Sequence, residues 1–282
     1  MEAATELRKN LHGVWAAAAA GWGEHADYTD VRAQPITQKL LDLADPQPGE
    51  RVLELACGPG GLGLAAAERV APGGDVVLSD VVAEMTSIAA RRAQERGLAN
   101  VTTAVLDIEQ IDQPGGSYDV VLCREGLMFA LDPTQAAREI RRVLRPGGRA
   151  ALAVWGPRER NPWLGVVLDS VSAQIGAPMP PPGVPGPFSL EDSDKLAAVL
   201  SDAELADVAV SELPVPLQIA SFEEWWARTT ALAGPLAKLL ESMPGDAVEA
   251  LRARAQEGAK PYETPAGLEF PGVTLVASGR RP

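Results

Sequence analysis

The stretch from Val52 to Gly63, VLELACGPGGLG, limits what this chain can fold into more than any other. A short apolar run (Val52, Leu53, Leu55) carries one acidic residue, Glu54, and then breaks into glycines. After Gly63 the text becomes Leu64-Ala65-Ala66-Ala67-Glu68-Arg69-Val70, a run of good helix formers. Buried strand, tight turn and helix together make a βα unit of the nucleotide-binding kind. Its ligand sits at the helix N-terminus, where unpaired N–H groups and the helix dipole converge. The turn needs glycine because it requires positive φ and because a ligand must approach the backbone.

The text around this unit alternates in the same way. Strands are expected at Arg51–Ala56, Asp75–Ser79, Val101–Leu106, Tyr118–Cys123 and Arg149–Trp155, and helices at Gly61–Val70, Val82–Gly97 and Pro133–Leu144. Asp132 is placed as the N-cap of the last helix, and Arg145-Pro146-Gly147-Gly148 as its stop. Strands alternating with helices of this length predict a parallel sheet with helices on both faces. Ahead of the sheet, residues 1–45 read as a helical leader: one helix over Glu2–Ala20 and a second that starts after Asp30 and runs to Ala44. Trp15, Trp22 and both histidines, His12 and His25, lie in it.

Beyond Trp155 the pattern changes. A helix is expected over Trp163–Ile175, then an extended loop carrying Pro178, Pro180, Pro181, Pro182, Pro185 and Pro187. A helix at Asp194–Asp202 and an extended strand region at Ala206–Ile219 follow, then helices at Phe222–Met243 and Asp246–Glu257, and a last strand at Val273–Ser278.

A net charge of −13 argues against a nucleic-acid partner, since phosphate contacts demand a basic face. Two cysteines, Cys57 and Cys123, make no disulfide framework and suit a reducing compartment. With no signal-peptide pattern and an apolar run at Ala16–Ala20 too short to span a bilayer, the expectation is a cytoplasmic protein that does not contact membrane.

Gly58, Gly60 and Gly63 satisfy G-x-G-x-x-G, and Asp80 closes the second strand, as a dinucleotide site requires. The flanking residues point elsewhere. Glu54 would repel a pyrophosphate, Asp107 closes the third strand with a further acid, and no second mononucleotide half follows the fifth strand. No G-K-[ST] follows the glycines, which excludes a P-loop.

The ordered set Glu54-x-Ala56-x-Gly58-x-Gly60, Asp80, Asp107, Tyr118-Asp119-Val120-Val121 and Leu144-Arg145-Pro146-Gly147-Gly148 resembles the class I S-adenosylmethionine-dependent methyltransferases. The branch it is most similar to holds the ubiquinone/menaquinone C-methyltransferases and small-molecule methyltransferases. The resemblance covers Arg51 to Trp155, with Ala56 standing where the family usually has its first glycine. It implies a Rossmann-like α/β fold: a seven-stranded, mostly parallel sheet with the last strand antiparallel, helices on both faces and a helical lid. It also implies S-adenosyl-L-methionine as cofactor. Glu54, Ala56, Gly58 and Gly60 would hold the methionine end, with Cys123 and Arg124 against it. Asp80 would take the ribose hydroxyls, with Val81 and Met85 beside them, and Asp107 and Ile108 would face the adenine. No metal site is expected, because Cys57 has no partner arrangement for one.

S-adenosylmethionine is a sulfonium with an amino-acid tail, so carboxylates and aromatic faces suit it. Its methyl group is already activated, and in-line displacement gains mainly from alignment and exclusion of water. Catalytic candidates on the implied fold are His25, Tyr28 and Glu125. The domain reading is a leader or lid over 1–45 and a methyltransferase domain over 46–282. That domain has its cofactor core at 46–155 and a helical lid at 222–258 between the last two strands. Trp225 and Trp226 lie on the lid, either as packing or with one of them facing the pocket. The leading functional expectation is methyl transfer to a small apolar or aromatic acceptor by a protein that can form a homodimer. A protein or RNA methyltransferase stands as one alternative. The other is the same fold acting without methyl transfer, as a ligand-binding module or cofactor-assisted cyclase.

Overall fold

The computed structural model describes residues 2–282. Its central sheet runs in the order β3 (Val101–Val105), β2 (Asp75–Asp80), β1 (Arg51–Leu55), β4 (Tyr118–Arg124), β5 (Leu144–Trp155), β10 (Val273–Arg280), β6 (Ala206–Pro214). All neighbours from β3 to β5 pair in parallel, whereas β10 runs antiparallel to both β5 and β6. This is the expected seven-stranded α/β sheet.

The central strands read as nearly unbroken apolar runs because both faces are covered. Successive side chains point to opposite faces. Leu53, Val121 and Leu152 therefore join the core under α6 (Pro133–Val143) and α8 (Ser193–Asp202). Val52, Leu78, Val120 and Leu122 join the core under α3 (Gln34–Ala44), α4 (Gly61–Val70) and α5 (Ala83–Glu95). α6 starts where its cap was expected: the Asp132 carboxylate accepts the Gln135 N–H at 2.9 Å.

Several element boundaries differ from the sequence expectation, each for a local reason. α1 (Glu2–Glu24) continues through Gly21, where a Cβ would stand 2.7 Å from the Ala231 carbonyl; this glycine lets two helices touch rather than ending one. The leader then breaks at His25 and at Ala33, giving α2 (Ala26–Arg32) ahead of α3. α6 ends at Val143, where the Arg145–Gly148 stop was expected to end it, but β5 opens at Leu144 rather than Arg149, so that segment is already strand. The region expected as one strand over 206–219 splits after Pro214: β6 stays in the main sheet and β7 (Leu217–Ile219) leaves it. β7 pairs with β9 (Gly267–Phe270), which pairs with β8 (Glu263–Thr264), in a second small sheet that periodicity did not reveal. The expected helix over 222–243 is two helices, α9 (Phe222–Leu232) and α10 (Gly234–Ser242). They are interrupted at Ala233 (φ −85°, ψ 84°), followed by Gly234 and Pro235.

α9, α10 and α11 (Gly245–Ala259) lie between β6 and β10 in the chain. With α7 (Pro162–Ile175) and the small sheet they build a separate apolar cluster. Trp225 is its centre, fully buried, edge-on to Phe222 at 5.6 Å and 4.9 Å from Phe270, with its indole N–H on the Trp163 carbonyl at 3.0 Å. Trp225 is thus a packing residue, and Trp226 is stacked on Phe222 at 6.2 Å.

Buried Asn161 pins this cluster to the sheet. Its Nδ2 donates to the carbonyls of Gly156 (3.0 Å) and Val273 (2.9 Å), and its Oδ1 accepts from the Val273 N–H (3.1 Å). Asn161→Ala strands those groups without water. Urea denaturation is expected to show a loss of about 2–3 kcal/mol; a loss below about 0.5 kcal/mol would refute the pin.

Candidate active site

The carboxyl edge of the parallel strands carries the site, as it does in open α/β sheets. The chain leaves β1 through Ala56 (φ +50°), Gly58 (φ +52°) and Gly60 (φ +87°). Ala56 adopts the left-handed region without being glycine, a strained choice that the surroundings enforce. Gly126, just past β4, approaches so closely that a Cβ there would lie 2.4 Å from the Ala56 Cβ. Gly63 plays the packing role of the third glycine. A Cβ on it would meet Leu78 Cδ2 at 2.1 Å and Glu54 Oε2 at 2.5 Å.

The missing side chain at Gly63 leaves room for Glu54 Oε2 to accept the Gly63 N–H at 2.8 Å. Burial raises the Glu54 carboxyl to about pKa 8, against the opposing pull of the neighbouring Arg124 charge and that N–H. Asp80 is also buried. It accepts the Gly58 N–H at 2.9 Å and the Val82 N–H at 3.3 Å, so it both holds the glycine turn and caps the approach to α5. Burial is the main cause of its raised pKa.

The leader roofs this turn. The Trp22 ring comes within 3.8 Å of where a Gly58 Cβ would stand, and its indole N–H donates to the Leu232 carbonyl at 2.9 Å. Trp15 meets Phe129 edge-on at 4.9 Å. Val81 and Met85 pack beneath both tryptophans. Asp30 of α2, which the sequence reading treated only as a helix boundary, belongs here. It pairs with Arg92 at 2.6 Å and Arg96 at 3.1 Å, and lies 3.9 Å from Arg124. Its Oδ1 is buried without a partner, and a Cβ at Gly61 would sit 1.8 Å from that atom. Gly61 was the available signal: it is a glycine that G-x-G-x-x-G does not call for.

The remaining candidates spread along the same edge. Asp107 accepts the Glu109 N–H at 2.8 Å and pairs with Arg8 of α1 at 3.0 Å, while Ile108 packs on the core. Cys123 is wholly buried in β4, where burial pushes its thiol up to about 12. Cys57 is likewise shifted upward by burial, so neither thiol is a nucleophile at neutral pH. Arg124 donates to Thr37 Oγ1 at 2.7 Å, tying β4 to the leader.

Of the three catalytic candidates, Glu125 has the strained backbone (φ +59°). It lines a cavity of about 10 Å³ with Arg32, Trp155, Asn161, Trp163 and Thr274. His25 sits at the α1–α2 break, and the Tyr28 ring lies under the Arg228 guanidinium at 4.0 Å. Neither is a wall of that cavity.

Residues 46–161 match the family described as a methyltransferase domain. The chain is 36% identical over 151 residues to nocamycin O-methyltransferase of Saccharothrix syringae, covering 51% of this chain and 54% of that protein. It is 35% identical over 133 residues to the ubiquinone/menaquinone biosynthesis C-methyltransferase UbiE of Ectopseudomonas mendocina, covering 47% and 52%. The chain thus spans about half the length of these curated relatives. In fold it is similar to the YcgJ protein of Bacillus subtilis, with a TM-score of 0.61 at 19% identity, covering 87% of this chain and 97% of that one. The strand order, the acidic glycine turn and these likenesses agree over residues 46–161, which are similar to a methyltransferase domain.

Proposed function

We propose that the protein is an S-adenosyl-L-methionine-dependent methyltransferase acting on a small, apolar or aromatic acceptor. The observation that carries this reading is the carboxyl lining of the turn. Glu54 and Asp80 each accept an N–H of the glycine cradle, and their oxygens suit an ammonium, a sulfonium and ribose hydroxyls better than a pyrophosphate.

In this reading Glu54, Ala56, Gly58, Gly60, Cys123 and Arg124 surround the methionine end. Asp80 binds the ribose, with Val81 and Met85 packed beside it. Asp107 and Ile108 face the adenine, Asp107 sharing its carboxylate with Arg8. The bound cofactor supplies an activated methyl group; the protein's part is to align it with the acceptor and exclude water. Leader helices α1–α3 and the 222–258 helices form the cover. The relatives' names, one an O-methyltransferase and one a C-methyltransferase, support a small acceptor while differing in the target atom. Among the described residues no helix is long and apolar enough to cross a membrane.

Calorimetric titration with S-adenosylmethionine and with S-adenosylhomocysteine tests this. Micromolar binding of both is expected, followed by a methyl-sized mass gain in an aromatic acceptor. Failure of both to bind, with NADH binding instead, would overturn the assignment.

A further inference from the structure

We propose that the small cavity beside the cofactor turn anchors an acidic hydroxyl of the acceptor, an enol or a phenol. Arg32 and Trp155 would hold the oxygen, and Glu125 would take the proton. The inference rests on the methyltransferase reading and names the chemical class of its acceptor.

The cavity lies at the carboxyl edge: Trp155 ends β5, Glu125 follows β4, and Arg32 ends α2 of the leader. Its volume of about 10 Å³ admits one oxygen-sized group. Two of its walls carry buried donors with no partner, Arg32 Nε and Trp155 Nε1. Buried N–H groups are normally paired, so two on one cavity call for a shared acceptor.

The packing holds both donors in place. The Arg32 guanidinium stacks on the Trp163 ring at 4.0 Å, and Trp155 meets the same ring edge-on at 5.0 Å. Stacking occupies the face of the guanidinium and leaves its Nε–H available in the plane. One donor is cationic, so an oxygen that gains negative charge is favoured over a neutral carbonyl.

Glu125 supplies the opposite function. A carboxylate wall disfavours a ligand that arrives fully ionised, but it accepts the proton of a hydroxyl. In the step, the O–H bond breaks, the proton moves to a Glu125 carboxylate oxygen, and the electron pair stays on the oxygen between Arg32 and Trp155. The strained backbone at Glu125 belongs to the same turn as Gly126, which touches Ala56 at the start of the glycine turn. Anchor and cofactor turn are thus built on adjoining residues.

The test uses the full chain saturated with S-adenosylhomocysteine and a set of substituted 2-naphthols and nitrophenols, each paired with its methyl ether. The phenols are expected to bind about 10- to 100-fold more tightly than their ethers. Their phenolate absorbance should appear below the pH at which they ionise in solution. Arg32→Met, which keeps a linear side chain without the N–H donors, and Trp155→Phe, which keeps an aromatic ring without the indole N–H, should each remove most of that preference. In wild type, the indole N–H resonance that disappears in Trp155→Phe should move downfield when a phenol binds. Equal binding of phenols and ethers, preference surviving in both variants, an unmoved indole resonance, or no binding by any phenol would each overturn the proposal. S-adenosylhomocysteine binding is read first, so failure of the cofactor reading is seen separately.

Discussion

Asp80→Ala is expected to weaken S-adenosylmethionine binding by about 10- to 150-fold. This is the worth of about 1.5–3 kcal/mol for hydrogen bonds to a charged group. Asp80 has two duties in the structure. It accepts the Gly58 and Val82 N–H groups, and in the proposed function it also accepts from the ribose hydroxyls. Alanine removes both duties, so circular dichroism and thermal unfolding must accompany the titration. Asp80→Asn separates them: it keeps the volume and one acceptor oxygen for the backbone but drops the charge. If both variants fold and bind the cofactor as tightly as wild type, the ribose assignment is wrong and Asp80 serves the turn alone.

Glu54→Gln is expected to change the pH dependence of both stability and binding. Glu54 has a folded pKa of about 8 against an ordinary 4.5, so the folded state holds a proton that the unfolded state has released. Glu54's contribution to stability is therefore full below pH 4.5 and is eroded, by about 1.4 kcal/mol per pH unit, as pH rises toward 8. Thermal unfolding across that window should therefore fall more steeply in wild type than in Glu54→Gln, which carries no proton to lose. A cationic ligand beside Glu54 forces the carboxyl to ionise. At pH 7 S-adenosylmethionine binding should then release a fraction of a proton approaching one, read from calorimetry in buffers of different ionisation enthalpy. The Gln variant should release none. Parallel stability curves for the two proteins would show that Glu54 is already ionised in the free protein.

Much of the fold was legible because its signals are local. Both faces of the central strands are covered, so each strand is an apolar run, and each run is bounded by Gly, Pro or Asp. Asp132 was readable as a cap because capping involves residues three apart in the chain. What failed were elements defined by distant partners. The small sheet joins β7 to β9 across a long insertion of helices, and no periodicity in three or four residues announces such a pairing. Gly21 looked like a helix end, yet its purpose is a close approach to Ala231.

The candidate site divides in the same way. The sequence by itself determined the βα unit, the glycines, Glu54, Asp80 and Asp107, because each lies in or beside a strand end or tight turn, a signal local in the chain. Only the tertiary structure decided which leader residues meet them. Asp30 reaches Gly61, Trp22 covers Gly58, and Arg32 joins Glu125 and Trp155 around one cavity. Those contacts depend on how a helix docks on a sheet edge. That docking is set by packing between side chains far apart in the chain, which a linear pattern does not encode.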